Sequence, residues 1–93
     1  MADVWLIEFT TRRKETTYHL ALLGDGLPLC GRRLRAMGMR THKRDVAFAV
    51  FRVAQYNQPG GRNGINGCAQ CYAKKGVLLD PVTRLGDLVR EKA

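Results

Sequence analysis

The chain has 93 residues, and sixteen Lys and Arg against eight Asp and Glu leave a formal charge of +8 at pH 7. That length allows one domain, residues 1–93, and excludes a multi-domain enzyme. Three cysteines exclude a disulfide-dense toxin, and a 45% hydrophobic content argues against a disordered chain.

Residues 4–9 (VWLIEF) are apolar and β-prone, and they predict a strand. They are too short and too acidic for a signal peptide. No apolar run approaches the roughly 18 residues that span a bilayer. The expectation is an intracellular, cytoplasmic protein with no membrane partner. Residues 11–17 (TRRKETT) read as a turn or loop, and residues 17–23 (TYHLALL) as a second strand. Gly24, Asp25 and Gly26 form a turn signal. Residues 27–30 then read as a returning strand, at an edge because of Pro28.

Residues 31–44 carry six Lys and Arg and no acid, and Gly31 and Gly38 discourage a long regular element there. In residues 45–57, Val46, Ala49, Val50 and Val53 recur at helical spacing behind Asp45 as N-cap. The run is also β-branched and aromatic, so a buried strand is the alternative; its length favours the helix. Residues 58–67 hold four glycines and a proline and predict a loop. Residues 68–75 predict a short helix ended by Gly76, and residues 77–79 a short extended piece. Asp80-Pro81 opens a C-terminal helix with a stripe of Leu85, Leu88 and Val89.

An odd number of cysteines in an intracellular chain points to metal rather than disulfides. The candidate ligands are His19, Cys30, Cys68 and Cys71. One imidazole and three thiolates make a known structural zinc set. Cys68 and Cys71 form C-x-x-C, which lets the backbone wrap one ion. If the second hairpin turns between Gly24 and Asp25, the numbers of opposed residues sum to 49. His19 and Cys30 satisfy that sum, which sets their Cβ atoms about 5 Å apart on one face. Taken singly, His19 reads as a half-buried strand residue and Cys30 as a small core hydrophobe. A redox C-x-x-C needs a larger parallel-sheet fold, and an iron–sulfur cluster needs more closely spaced cysteines. His42, in the basic stretch, is the reserve fourth ligand. The cofactor expected is one structural Zn2+ per chain.

HLALLGDGLPLCGR followed by CAQC resembles small zinc-finger proteins of actinobacteria and their phages. The resemblance covers residues 19–32 and 68–72 and implies a treble-clef-like or ribbon-like zinc domain. QPGGRNGINGCAQCYAKKG is similar to the end of an HNH nuclease motif. That family carries its catalytic His shortly before the Gly-Gly, where this chain reads Ala54, Gln55, Tyr56, Asn57 and Gln58. No general base is supplied there, and a catalytically inactive relative that binds nucleic acid is what this second resemblance leaves.

The fold class expected is therefore α+β: a small zinc-stabilised domain with an N-terminal β-hairpin or meander, a middle helix, a C-x-x-C knuckle and a C-terminal helix. Its basic face would comprise Arg32, Arg33, Arg35, Arg40, Lys43 and Arg44, joined by Lys74 and Lys75 and by Arg12, Arg13 and Lys14. Such a face binds phosphates by counterion release. The 32–44 stretch contains no aromatic residue to stack on bases. Trp5, Phe9, Phe48 and Phe51 are expected in the core, and Tyr56 and Tyr72 at the surface. The expectation is a non-enzymatic module that binds DNA or RNA and takes no small-molecule substrate. The alternative is a protein-interaction module that docks, or self-associates, through residues 46–54.

Overall fold

The structure, a computed structural model, describes residues 3–35, 38–57 and 64–79. Its elements are β1 (Asp3–Thr10), β2 (Thr16–Ala21), β3 (Met39–Asp45), α1 (Val46–Gln55), β4 (Ile65–Gly67), α2 (Ala69–Ala73) and α3 (Gly76–Leu79). The strands form one four-stranded sheet in the order β3-β1-β2-β4. The result is a small α+β fold with short helices.

β1 and β2 are antiparallel, from Trp5 opposite Ala21 to Thr10 opposite Thr16. The Thr10 and Thr16 hydroxyls meet at 3.0 Å where the hairpin closes. β3 lies antiparallel along the other side of β1, from Asp3 opposite Asp45 to Phe9 opposite Met39. β4 runs parallel to β2 and reaches only Thr16, Thr17 and Tyr18.

Strand alternation gives this sheet two different faces. Val4, Leu6 and Leu20 point to one side, where they pack with Ala49 and Val53 of α1 and with Cys71 and Leu78. Burying a valine or leucine side chain contributes about 1.5–3 kcal/mol, so this layer is the main apolar store of a small fold. Trp5, Ile7, His19 and Ala21 point to the other side. The loop leaving β2 lies against that face: the Trp5 ring packs on the backbone of Gly24, and Met39 packs on Gly26. Ile7 is fully buried there.

α1 starts where β3 ends. Asp45, the last residue of β3, accepts hydrogen bonds through Oδ1 from the amides of Ala47 (2.8 Å) and Phe48 (3.3 Å). Its inner stripe is the expected one, with Ala49 and Val53 buried and Val46 and Val50 packed beside them. Phe48 and Phe51 do not join it. They are 41% and 63% exposed, because the sheet covers one stripe of the helix and these rings fall outside it.

Four further expectations are corrected. Residues 39–45 form a strand within the stretch expected to lack a long element. Pairing with β1 organises them, and an edge strand needs no apolar alternation. Gly38, at φ +84°, turns the chain into that strand and accepts the Thr10 amide at 2.8 Å. Residues 27–30 form no strand; only the Leu29 amide bonds back, to the Leu20 carbonyl at 2.7 Å. Residues 65–67, expected in a loop, add β4 to the sheet. Residues 77–79, expected extended, lie in α3, which Gly76 begins. The C-terminal helix expected from residue 80 lies outside the described residues, as do residues 58–63 of the glycine-rich loop.

Candidate metal centre

β4 stops at the level of Tyr18, which leaves the rest of the β2 edge open to other partners. The Cys68 amide bonds to the Tyr18 carbonyl at 2.9 Å, and the Leu29 amide to the Leu20 carbonyl. These two bonds draw the C-x-x-C turn and the loop after β2 to the same short stretch of edge. His19 lies between their two acceptors.

His19, Cys30, Cys68 and Cys71 come together there, with one ligand atom from each lying within 4.8 Å of the others. The Nδ1 of His19 is 3.7 Å from the Sγ of Cys30 and 3.7 Å from the Sγ of Cys71. His19 is 3% exposed, Cys71 is fully buried, and Cys30 and Cys68 are half-buried. All three cysteines are free thiols. This group can hold a metal ion. His42 does not belong to it: it lies on β3 opposite Leu6, two strands from β2 and so about 10 Å away across the sheet.

Local chemistry arranges the C-x-x-C. Cys68 sits at the N-cap of α2, and its Sγ accepts the Cys71 amide at 3.4 Å. The Cys71 Sγ reaches the Leu20 carbonyl at 3.7 Å. The two thiols share their protons unequally. A hydrogen bond from Cys71 pulls the Cys68 thiol well below its usual range, and His19 and the Cys71 amide help against the cost of burial. The same bond, with burial, pushes the Cys71 thiol up. The cluster thus favours the thiolate form at Cys68 and the protonated form at Cys71.

Gly67 positions the knuckle. A Cβ on this residue would collide with the Val53 carbonyl oxygen and would come within 2.9 Å of the Asn57 amide nitrogen. Its own amide bonds to the Tyr56 carbonyl at 2.6 Å. Only a residue without a side chain lets the end of α1 press this close to the strand that delivers Cys68. Sequence reading placed Gly67 in a loop and missed this role; a glycine directly before the C-x-x-C was the available signal.

Of the basic residues expected to form one face, all but Lys75 are exposed, and they stand on separate parts of the fold. Arg32, Arg33 and Arg35 follow Cys30 and Gly31 in the chain and are exposed. Arg40, Lys43 and Arg44 are exposed on β3, at the sheet edge away from β2 and β4. Alternation sends Arg40 and Arg44 to the α1 side and Lys43 to the other. Lys74 is exposed beside the knuckle, and the Lys75 ammonium sits 3.7 Å from the centre of the Tyr72 ring. Arg12, Arg13 and Lys14 are exposed in the β1–β2 turn. Tyr56 and Tyr72, expected at the surface, are half-buried; Tyr56 stacks on Tyr18 with ring centres 5.7 Å apart.

No protein family, curated protein or solved structure matches this chain. Among the described residues no helix is long and apolar enough to cross a membrane. The functional reading therefore rests on the residues themselves.

Proposed function

We propose that this chain is a zinc-stabilised, non-catalytic module that binds DNA or RNA through phosphate contacts. The observation that carries the zinc is the spacing of its donors. Zn–S bonds of about 2.3 Å and Zn–N bonds of about 2.05 Å at tetrahedral angles require an S···N edge of about 3.6 Å. Two of the three S···N edges here, to Cys30 and Cys71, are 3.7 Å, and all four donor atoms lie within 4.8 Å of one another. One imidazole with three thiolates suits a borderline-soft ion, and four protein ligands leave no position open for a reacting water. The zinc is then structural, one per chain, held by His19, Cys30, Cys68 and Cys71 in a reducing, intracellular setting.

The nucleic-acid reading is supported by a +8 chain in which Arg12, Arg13, Lys14, Arg32, Arg33, Arg35, Arg40, Lys43, Arg44 and Lys74 stand in solvent. Arg32, Arg33 and Arg35 extend from a metal ligand, so the ion fixes the base of the loop that presents them. Guanidinium groups bind phosphates with bidentate geometry. The test is fluorescence anisotropy of the zinc-loaded protein with labelled single- and double-stranded oligonucleotides over a range of salt. Binding that weakens linearly on a log–log plot supports phosphate contacts. Absence of binding at low salt overturns the reading.

A second reading has its own observation. Phe51 is 63% exposed and Phe48 41% exposed on α1, an apolar pair that suits a protein partner or self-association. Concentration-dependent mass in size exclusion, abolished by Phe51→Ser, with no oligonucleotide binding, would favour it.

A further inference from the structure

A second cluster of chemistry lies on the α1 side of the sheet, away from the metal centre. An open cavity of about 250 Å³ separates α1 from the β3 edge. Leu6 and Glu8 of β1 form its floor, His42 and Arg44 of β3 one wall, and Phe48 and Arg52 of α1 the other. Tyr18 closes one end, and its hydroxyl donates to Glu8 Oε2 at 3.4 Å. Burial and the Glu8 carboxylate both raise the Tyr18 pKa, so the hydroxyl stays a donor. The Arg52 guanidinium lies 5.3 Å from the centre of the Phe48 ring.

This combination is specific. Arg44, which gives one N–H to the Lys43 carbonyl at 3.0 Å, and Arg52, which gives one to Gln55 Oε1 at 3.4 Å, each keep further guanidinium donors for a phosphate. The Phe48 ring, 41% exposed with the Arg52 guanidinium over it, offers a stacking platform together with that guanidinium, which serves any unpaired base. A carboxylate between them suits a base amino group and opposes a wholly anionic ligand. The volume falls below the roughly 300–1,000 Å³ of sites for drug-sized molecules, so one small planar group fits. The basic stretch 32–44 has no aromatic residue of its own. The fold supplies one by laying α1 beside β3.

We infer that this cleft takes one unpaired nucleotide of a single-stranded nucleic acid, its base on Phe48 with its amino edge toward Glu8, and its phosphate on Arg44 and Arg52. The inference rests on the nucleic-acid reading above and adds strand type to it. In a duplex both faces of a base are covered by its neighbours, so Phe48 has nothing to stack on.

The test compares a labelled mixed-sequence oligonucleotide of about 12 nucleotides, single-stranded and as duplex, against the zinc-loaded full chain. Variants are Phe48→Ala, Phe48→Trp, Arg52→Ala and the triple change Arg32→Ala/Arg33→Ala/Arg35→Ala. Zinc content and circular dichroism check each fold; Phe48 is 41% exposed, so its truncation opens no sealed void. The wild type should prefer the single strand. Phe48→Ala should weaken that binding about tenfold and leave the duplex within about twofold, while Phe48→Trp keeps the preference. Arg52→Ala should also act on the single strand. Equal affinity for both strand forms, or no effect of Phe48→Ala and Arg52→Ala, overturns the cleft. If the triple variant then still loses binding, the phosphate reading stands without it. No binding of either probe by the wild type overturns both.

Discussion

The Nδ1 of His19 and the Sγ of Cys71 stand 3.7 Å apart although 52 residues separate them in the chain. Neither residue reaches the other through a shared element. The open edge of β2 supplies the meeting place, because β4 pairs only as far as Tyr18 and the C-x-x-C turn takes the edge from there. The His/Cys cluster is thus an extension of the sheet. Its ligands and its core neighbours, Leu20 and Leu78 among them, are ordered together.

Gly67→Ala should therefore disturb both the fold and the centre. The added Cβ would strike the Val53 carbonyl oxygen, which belongs to the backbone of α1 and cannot turn aside. Overpacking of this kind costs about 1–3 kcal/mol, and here it also displaces Cys68. A denaturant melt of the zinc-loaded variant should show a clear loss of stability and a weaker hold on the metal. An unchanged midpoint would contradict the close approach.

Asp45→Ala tests the start of α1. The carboxylate caps two amides, and losing such a cap costs about 1 kcal/mol. Thermal melts should show a modest drop with zinc content unchanged, since the cap lies on β3 away from the ligands. A loss as large as that from a ligand substitution would contradict this separation.

Zinc affinity should rise with pH. The hydrogen bond to Cys68 and burial keep a proton on Cys71, and the metal must displace it. The same bond draws Cys68 down toward the thiolate form. At least one proton is therefore released per ion bound. Raising the pH favours binding by about tenfold or more per unit in the neutral range, and lowering it drives the metal off. Competition titrations against a chromophoric chelator at several pH values measure this slope, and a flat profile would contradict it.

The two halves of the basic stretch should act separately. Arg32, Arg33 and Arg35 sit in the loop after Cys30, and Arg40, Lys43 and Arg44 on the opposite sheet edge. Alanine triples in each half should lower the salt slope of oligonucleotide binding by about one unit for each phosphate that is no longer neutralised. Identical salt slopes in wild type and both triples would remove these residues from the interface.

The sequence made some of this legible and hid the rest for physical reasons. β1, the helical stripe from Val46 to Val53 and the Asp45 cap are local patterns, readable within one element. The pairing of His19 with Cys30 was also legible: the Leu29 amide meets the Leu20 carbonyl at the register that sums to 49. The returning strand was not there. Pro28 has no amide to donate, and the Gly31 amide turns back to the Pro28 carbonyl at 2.9 Å, so the ladder ends after one bond. β3 was hidden because MRTHKRD has no apolar alternation, and only β1 makes a strand of it. Phe48 and Phe51 were misjudged because hydrophobicity does not reveal which helix stripe the sheet will cover.

The central claim is that one zinc ion holds these four residues and, through them, the fold. Native mass spectrometry of protein purified under reducing conditions, before and after a strong chelator and paired with circular dichroism, tests it most directly. The account predicts one zinc per chain, unfolding when it is removed, and the same loss in Cys71→Ser. A chain that carries no metal, or that keeps its fold once stripped, would contradict it.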